Sequence, residues 1–182
     1  DNSFVLTESE LLENKIEKSI VYPFIKPENY KRYNLLGITK YIIYPYDKES
    51  KILDENILKT NYPNAYLYLH QNKDILENRK DSRTTIKEKG IEWYSIMRRV
   101  SPIEIKKDKI IFFDVGNSPN FIFDNDSLSF GGGTSHSIYL RDETKIDIKF
   151  ILGVLNSKLL LWLIRDICPI KMGDARKYGL SY

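Results

Sequence analysis

The chain is organised around the stretch Asn61-Tyr62-Pro63-Asn64-Ala65-Tyr66-Leu67-Tyr68-Leu69, which is followed by a basic run that ends at Trp93-Tyr94. A proline at the first helical position loses no hydrogen bond, because that N–H has no partner within the helix. We therefore expect a helix to begin near Pro63, with Asn61 as its cap. Apolar residues then recur at roughly helical spacing, which predicts one buried face. They are Tyr62, Ala65, Tyr66, Leu69 and Leu76.

After Arg79 this pattern stops and the chain becomes basic. Residues 79–109 contain ten Lys and Arg and five Asp and Glu, a net charge of +5 in a chain whose total is +3. The aromatic pair Trp93-Tyr94 lies in the same segment. Basic and aromatic side chains together are typical of nucleic-acid binding. The alternative is a charged face that only keeps the protein in solution, as most charge runs do.

Composition limits the class of protein. A chain of 182 residues fits one domain, or one domain with a helical appendage. A hydrophobic content of 42% argues against disorder, and no stretch approaches the roughly 20 apolar residues that span a membrane. A single cysteine, Cys168, excludes an internal disulfide framework and fits a reducing cytoplasm. Because the first residue is Asp rather than Met, we expect the chain to be a piece of a longer polypeptide.

The first part of the chain predicts short elements. Thr7-Glu8-Ser9-Glu10 matches a capping box and predicts a helix near residues 8–18. Pro23 and Pro27 exclude a regular helix around them and favour an edge strand or an extended connection. Tyr41-Ile42-Ile43-Tyr44 predicts a strand that Pro45 ends.

The second part predicts a hairpin and a long helix. Residues 109–113 and 121–123 are expected to pair as strands across a turn at 116–120, and a further strand is expected at 137–140. Residues 147–164 are apolar on nearly every side, so we expect one helix buried between two layers, ending before Pro169. Within it, Asn156-Ser157 is expected to be structural, with the asparagine tying the helix to a neighbouring loop.

Short motifs that could carry catalysis each lack a required partner. Asn117-Ser118-Pro119-Asn120-Phe121 lacks the tandem prolines of a base-flipping motif, and Gly131-Gly132-Gly133 lacks the context of a phosphate loop. Glu104-Ile105-Lys106 and Glu143-Thr144-Lys145 have nuclease spacing but no second carboxylate for a metal. His136 has no acid nearby in sequence to orient it as a base. We therefore expect no catalytic residue and no metal site in this chain.

Six segments, taken in order along nearly the whole chain, are Tyr22-Pro23-Phe24-Ile25-Lys26-Pro27 with Lys31-Arg32-Tyr33; Tyr41-Ile42-Ile43-Tyr44-Pro45; Pro63 with Tyr66-Leu67, Leu76 and Arg79; Trp93-Tyr94; Lys109-Ile110-Ile111-Phe112 with Phe121; and Leu152-Gly153-Val154-Leu155-Asn156-Ser157. Together they resemble the TaqI-like C-terminal specificity domain, the target-recognition domain that follows the methyltransferase domain in type IIG restriction-modification enzymes. The sharpest of these matches is the Leu-Asn-Ser that ends the apolar run. One departure is Phe113-Asp114, where the family usually has proline. The resemblance therefore does not assign the recognition loop.

The resemblance implies an α+β fold. Residues 1–146 are expected to form an irregular, β-rich target-recognition subdomain with peripheral helices. Residues 147–182 are expected to form a C-terminal helical segment, the first arm of a helical hairpin whose second helix lies beyond Tyr182. The resemblance also implies recognition of double-stranded DNA, noncatalytic by itself, for an endonuclease and adenine methyltransferase. The methyltransferase and nuclease domains of the same polypeptide are then expected to bind S-adenosylmethionine and magnesium, in the cytoplasm and without a membrane partner.

Candidate DNA contacts follow from the basic residues and the resemblance. Contacts to phosphate are expected from Lys26, Lys31, Arg32, Lys87, Lys89, Lys106 and Lys107. Contacts to bases are expected from Arg79, Arg83, Arg98, Arg99, Asn117 and Asn120, and from the loop at 114–136. The main alternative is a protein-interaction module, or the specificity subunit of a multisubunit restriction-modification complex, whose apolar C-terminal helix packs against another subunit. An autonomous nuclease is a third alternative.

Overall fold

The computed structural model describes residues 2–96, 107–125, 135–173 and 175–178, and they form helices and small antiparallel sheets. This confirms the predicted α+β class. By packing, the chain divides into one unit of Asp1–Pro23 with Thr39–Glu104 and another of Phe24–Ile38 with Ile105–Tyr182. The proposed subdomain boundary at residue 146 stays a prediction. Within the described residues, every helix is too short or too polar to cross a membrane.

The first unit is built on a three-stranded sheet. Its strands are β1 (Val5–Thr7), β5 (Lys40–Ile43) and β2 (Val21–Phe24), in the order β1-β5-β2. The strand expected near Tyr41 is confirmed. Pro23 lies in β2, at the edge of the sheet, where a missing N–H costs no ladder bond.

The predicted capping box is confirmed at the start of α1 (Glu8–Glu13). The Thr7 N–H donates to Oε2 of Glu10 at 2.7 Å, and the Glu10 N–H donates to the Thr7 hydroxyl at 3.3 Å. The helix is shorter than expected, because it ends at Glu13 rather than near residue 18.

Among the described residues of the first unit, three helices follow: α2 (Glu55–Asn61), α3 (Pro63–Gln71) and α4 (Lys73–Glu77). The start at Pro63 is confirmed, and Ala65, Leu69 and Leu76 are fully buried. The expectation that Asn61 caps this helix is wrong, because Asn61 is the last residue of α2. The carboxylate of Glu17 takes that role by accepting the N–H groups of Asn64 at 2.9 Å and Ala65 at 3.0 Å.

The second unit contains the predicted hairpin. Strand β8 (Lys109–Phe113) lies between β10 (Ile122–Asp124) and β11 (Ser135–Ile138), both antiparallel to it. The third strand therefore begins two residues earlier than its predicted range of 137–140. A separate small sheet has the order β12-β13-β9, made of β9 (Val115–Gly116), β12 (Ile170–Met172) and β13 (Ala175–Lys177).

The long C-terminal helix predicted over residues 147–164 is two helices, α5 (Ile148–Leu155) and α6 (Lys158–Ile167). The break lies at Asn156-Ser157, where the Ser157 hydroxyl caps α6 by accepting the Leu160 N–H at 3.2 Å. The prediction of one continuous helix is therefore wrong, since two short helices follow each other directly.

The expectation that this helical segment is buried on all sides is also wrong. Ile148 and Leu152 of α5 pack with Ile110 and Phe121 of the sheet region in one buried cluster. The opposite side is open, as Phe150 on α5 is 64% exposed. Each short helix thus contributes only one face to the core, and the other apolar side chains remain at the surface.

Candidate nucleic-acid interface

An exposed basic hairpin carries several of the predicted DNA contacts in the first unit. Strands β6 (Lys80–Asp81) and β7 (Thr84–Thr85) pair antiparallel around a two-residue tip, Ser82-Arg83. Ser82 has a φ of 65°, a left-handed backbone conformation that allows two residues to close the turn. Arg83 is exposed at the tip, and Lys87 and Lys89 are exposed just after the hairpin. We refer to residues 80–90 as the basic hairpin.

Backbone bonds fix the basic hairpin to the rest of its unit. The N–H of Ile86, a residue 2% exposed, donates to the Arg79 carbonyl at 2.9 Å, and the Lys87 N–H donates to the Glu77 carbonyl at 3.1 Å. Thr85 and Glu88 exchange two bonds, of 2.7 and 3.1 Å. Hydrogen bonds from the Thr85 backbone N–H and hydroxyl to the carboxylate lower the pKa of Glu88, so the turn that carries Lys87 is ordered around a carboxylate. The charged side chains are therefore presented from a fixed backbone.

Arg79, predicted to contact bases, has its guanidinium inside the protein. Its Nε donates to the Leu76 carbonyl, and one terminal nitrogen donates to the carbonyls of Trp93 and Ser95, each at 2.9 Å. Burial lowers the pKa of Arg79, although an arginine remains charged at physiological pH. Arg79 joins the end of α4 to the chain around Trp93, and this geometry argues for a structural role.

The aromatic pair Trp93-Tyr94 is buried, at 6% and 1% exposure. The Trp93 ring lies edge-on to the rings of His70 and Tyr66, at 5.7 and 6.0 Å between centroids. The Tyr94 hydroxyl donates to the Leu53 carbonyl at 2.8 Å, and burial raises the pKa of Tyr94. The expectation that this pair belongs to a nucleic-acid footprint is wrong, because neither ring has a free face for a base.

A second hairpin of the same length lies in the other unit. Strands β3 (Tyr30–Lys31) and β4 (Asn34–Leu35) pair around the tip Arg32-Tyr33. Lys31 is exposed and Arg32 is half-buried. Tyr33 is 55% exposed with a φ of 66°, a left-handed conformation that is unusual for a side chain of this size. Tyr33 was not among the predicted site residues, although the Arg-Tyr that ends its segment was a signal for it.

The loop that carries Asn117 and Asn120 joins β9 to β10. Asn117 is exposed, Asn120 is half-buried, and Phe121 after them is buried. The Asn156 side chain holds the backbone of Phe121 with two bonds: its Nδ2 donates to the carbonyl at 2.8 Å, and its Oδ1 accepts the N–H at 3.2 Å. The expectation that Asn156 ties a helix to a neighbouring loop is confirmed.

The remaining predicted contacts differ in their surroundings. Lys26 lies 4.0 Å from Glu28, and Lys107 lies 3.9 Å from Asp142, both at the surface. Lys109, counted in the basic segment, is fully buried and pairs with Asp124 at 2.7 Å, so it adds nothing to a surface charge. The predicted contacts Arg98, Arg99 and Lys106 and part of the loop at 114–136 lie outside the described residues.

His136 has an acidic neighbour after all. Strand pairing places it opposite Phe112, on which its ring stacks at 5.2 Å, and its Nε2 lies 3.9 Å from Oδ1 of Asp114. The expectation that His136 lacks a nearby acid is therefore wrong, because the acid comes from the bend between β8 and β9, which is distant in sequence. Within the described residues, no three His, Cys, Asp or Glu side chains converge to hold a metal ion.

The structure thus distributes the described candidates between two units, each with an arginine at a hairpin tip. The first unit holds Arg83, Lys87 and Lys89. The second unit holds Lys26, Lys31, Arg32, Lys107, Asn117 and Asn120.

Comparison with known proteins gives a consistent result. The family model described as the TaqI-like C-terminal specificity domain matches residues 22–181. The type II methyltransferase M.MjaIV of Methanocaldococcus jannaschii is 31% identical over 161 residues, which cover 86% of this chain and 51% of that protein. The type II methyltransferase M.BanIII of Aneurinibacillus aneurinilyticus is 34% identical over 100 residues, which cover 54% of this chain and 16% of that protein. The chain therefore spans about half the length of the first relative and less of the second.

Proposed function

Since this chain belongs to the family of TaqI-like C-terminal specificity domains, we propose that it recognises a short sequence in double-stranded DNA for a restriction-modification enzyme. Family membership and the two methyltransferase relatives support a specificity role in restriction-modification. The observation that carries the proposal furthest is the basic hairpin, a two-stranded ribbon with Arg83 exposed at its tip. A ribbon of this width fits the major groove, where arginine bridges O6 and N7 of guanine.

The exposed charges divide into two roles in this proposal. The Lys87 side chain is 72% exposed and lies 3.4 Å from Glu77, on the flank of the hairpin. A flanking lysine meets phosphate oxygens, which positions the duplex without reading its sequence. Arg83 is exposed at the tip of the ribbon and is the candidate for base contact. Arg79 fixes the chain directly before the hairpin through its bonds to backbone carbonyls, and in this proposal it does not contact DNA.

Catalysis belongs to other domains in this proposal. An adenine methyltransferase and an endonuclease in the same cytoplasmic polypeptide would bind S-adenosylmethionine and magnesium. The described residues of this chain do not fit magnesium, because no three acidic, His or Cys side chains converge. What this chain supplies is the choice of the site at which those domains act.

Selection from random DNA tests the proposal. The full-length protein would be incubated with duplexes whose central segment is randomised, and the bound duplexes would be sequenced. We expect one short motif to be enriched, and Arg83→Ala to lose part of that motif while still retaining DNA. Arg165→Ala is the matched control. It removes an exposed arginine from α6, which belongs to the other unit and is distant from the basic hairpin in sequence. Failure of the unaltered protein to enrich any motif would contradict the proposal.

A second candidate function is supported by the exposed apolar face of the C-terminal helices. On α6, Leu159, Trp162 and Ile167 are 76%, 66% and 67% exposed, and Phe150 on α5 adds to them. An exposed apolar surface of this kind is typical of protein–protein contacts. It favours an interaction module, or a specificity subunit that packs against a methyltransferase. Leu159→Glu separates the two functions, because it would abolish such packing but leave the selected DNA motif unchanged.

A further inference from the structure

The buried side chain of Asn156 has a more specific task than ending a helix. It is 2% exposed, and its carboxamide bonds with both backbone polar groups of Phe121. The helix end does not need this carboxamide, because the Asn156 backbone N–H already donates to Leu152 at 3.0 Å and Ser157 caps the next helix. What asparagine adds is one donor and one acceptor at the end of the same short side chain, so it can bond with the C=O and the N–H of one residue.

The Phe121 carbonyl held by Asn156 also accepts the N–H of Tyr33, at 3.2 Å. Tyr33 is the second residue of the hairpin tip and has a left-handed backbone, a conformation that costs energy for a residue other than glycine. Such conformations persist only where surrounding contacts fix them, and they concentrate at functional sites. The tyrosine side chain remains largely at the surface, since Tyr33 is 55% exposed.

The base of this hairpin is fixed as well. Leu35 of β4 packs against a buried cluster of Ile25, Ile111, Phe113 and Ile122 in the same unit. The hairpin is therefore held at its base by apolar packing and at its tip by the Phe121 carbonyl. The loop with Asn117 and Asn120 leads directly into Phe121, so both segments depend on the position of the Phe121 backbone.

We propose that Asn156 is a positioning residue for DNA recognition, which sets the hairpin tip Arg32-Tyr33 and the loop at 117–120 as a single DNA-contacting edge. Tyr33 is the DNA-contacting residue that this edge adds. Its exposed ring and hydroxyl suit a base edge or sugar of duplex DNA beside the phosphate contact of Arg32. The inference rests on the proposed function, because it names further residues of the same recognition surface.

The test compares Asn156→Leu with Leu152→Ala in the full-length protein. Leu152 lies one turn earlier in α5 and is buried in the same apolar cluster as Phe121, so its truncation weakens the packing around Phe121 but removes neither carboxamide bond. Amide hydrogen exchange at Tyr33 reports the clamp directly. The ratio of affinities for the selected and a scrambled duplex reports recognition. Tyr33→Ala, at an exposed tip, provides a variant that folds whatever the effect at Asn156.

We expect the Tyr33 amide to exchange faster in Asn156→Leu but not in Leu152→Ala. The affinity ratio should fall about tenfold in Asn156→Leu and in Tyr33→Ala, which is the discrimination that one well-placed contact supplies. It should remain unchanged in Leu152→Ala at a temperature where that variant is folded.

Unchanged exchange at Tyr33 in Asn156→Leu would overturn the inference, and so would an undiminished ratio in Tyr33→Ala. Equal decreases of the affinity ratio in Asn156→Leu and Leu152→Ala would also overturn the inference, since they would show only a loosened fold. These results differ from a failure of the proposed function, in which the unaltered protein itself shows no preference between the two duplexes.

Discussion

The Asn156 carboxamide and the Phe121 backbone form a two-bond clamp across 35 residues of sequence. Buried amides require partners for both of their polar ends, and the backbone of a single residue provides both here. The clamp joins the break between α5 and α6 to the loop that enters β10. The break itself lies where the Ser157 hydroxyl caps α6.

The buried pair of Lys109 and Asp124 predicts a large loss of stability when one partner is removed. The two residues face each other across β8 and β10 and are 0% and 4% exposed in their side chains. Asp124→Ala leaves the buried ammonium without its carboxylate and should cost about 3–5 kcal/mol in urea unfolding. Glu49→Ala is the control, because Glu49 and Lys51 form a pair of similar length, 2.8 Å, that is exposed and worth about 1 kcal/mol or less. Similar losses in the two variants would contradict the burial of the Lys109 pair.

The one-sided packing of the C-terminal helices predicts unequal effects of two leucine truncations. Leu152→Ala should lower the free energy of unfolding by about 2–5 kcal/mol, the range for a leucine in a packed core. Leu159→Ala should change it by about 0.5 kcal/mol or less, because Leu159 is 76% exposed. Urea unfolding of both variants measures the difference. A large loss for Leu159→Ala would show that a second surface covers α6.

Arg79, directly before the basic hairpin, and Arg83, at its tip, predict opposite behaviour. Arg79→Ala removes a charged donor from three carbonyls and should destabilise the protein by at least about 2 kcal/mol. Arg83→Ala should change stability by about 0.5 kcal/mol or less, since its side chain is exposed. Thermal unfolding distinguishes them. A stable Arg79→Ala protein that no longer discriminates between duplexes would restore Arg79 as a base contact.

The capping box predicts a pH-dependent contribution from Glu10. Hydrogen bonds from the Thr7 backbone and hydroxyl lower the pKa of Glu10 below its ordinary value. A carboxyl group whose pKa is lowered by folding stabilises the folded state above its ordinary pKa, and that contribution disappears as the pH falls through the lowered pKa. Glu10→Gln, which keeps an acceptor but no charge, should therefore be less stable than the unaltered protein at neutral pH and equally stable in strong acid. Unfolding curves across this pH range measure the gap, and a gap that does not change with pH would contradict the assignment.

Local signals in the sequence predicted the local structure well. Thr7 and Glu10 are three residues apart, so their capping box depends on nothing distant. The strands at Lys109 and Ile122 have apolar runs and a turn between them, and the hairpin follows. Asn156 could be placed as well, since a single polar side chain at the end of an apolar run needs a partner.

The errors arose where distant segments decide the outcome. Charge counting placed Lys109 and Trp93 in a surface segment, but each is buried by a partner that the count does not include. Asp124 reaches Lys109 through strand pairing, and α3 covers Trp93 with His70 and Tyr66. Glu17 replaces Asn61 as a helix cap from 47 residues away. The acidic neighbour of His136, Asp114, likewise comes from a distant segment, the bend between β8 and β9.

The most direct test of sequence-specific recognition is the affinity of the full-length protein for the selected and the scrambled duplex at two salt concentrations. Lys87→Ala should weaken binding to both duplexes alike and reduce the salt dependence by about 0.9 in slope, the effect of one lost phosphate contact. Arg83→Ala should weaken binding to the selected duplex by about 1–3 kcal/mol and leave the scrambled duplex nearly unaffected. If both variants bind both duplexes like the unaltered protein, the basic hairpin is only a charged surface, and the proposed recognition by it is wrong.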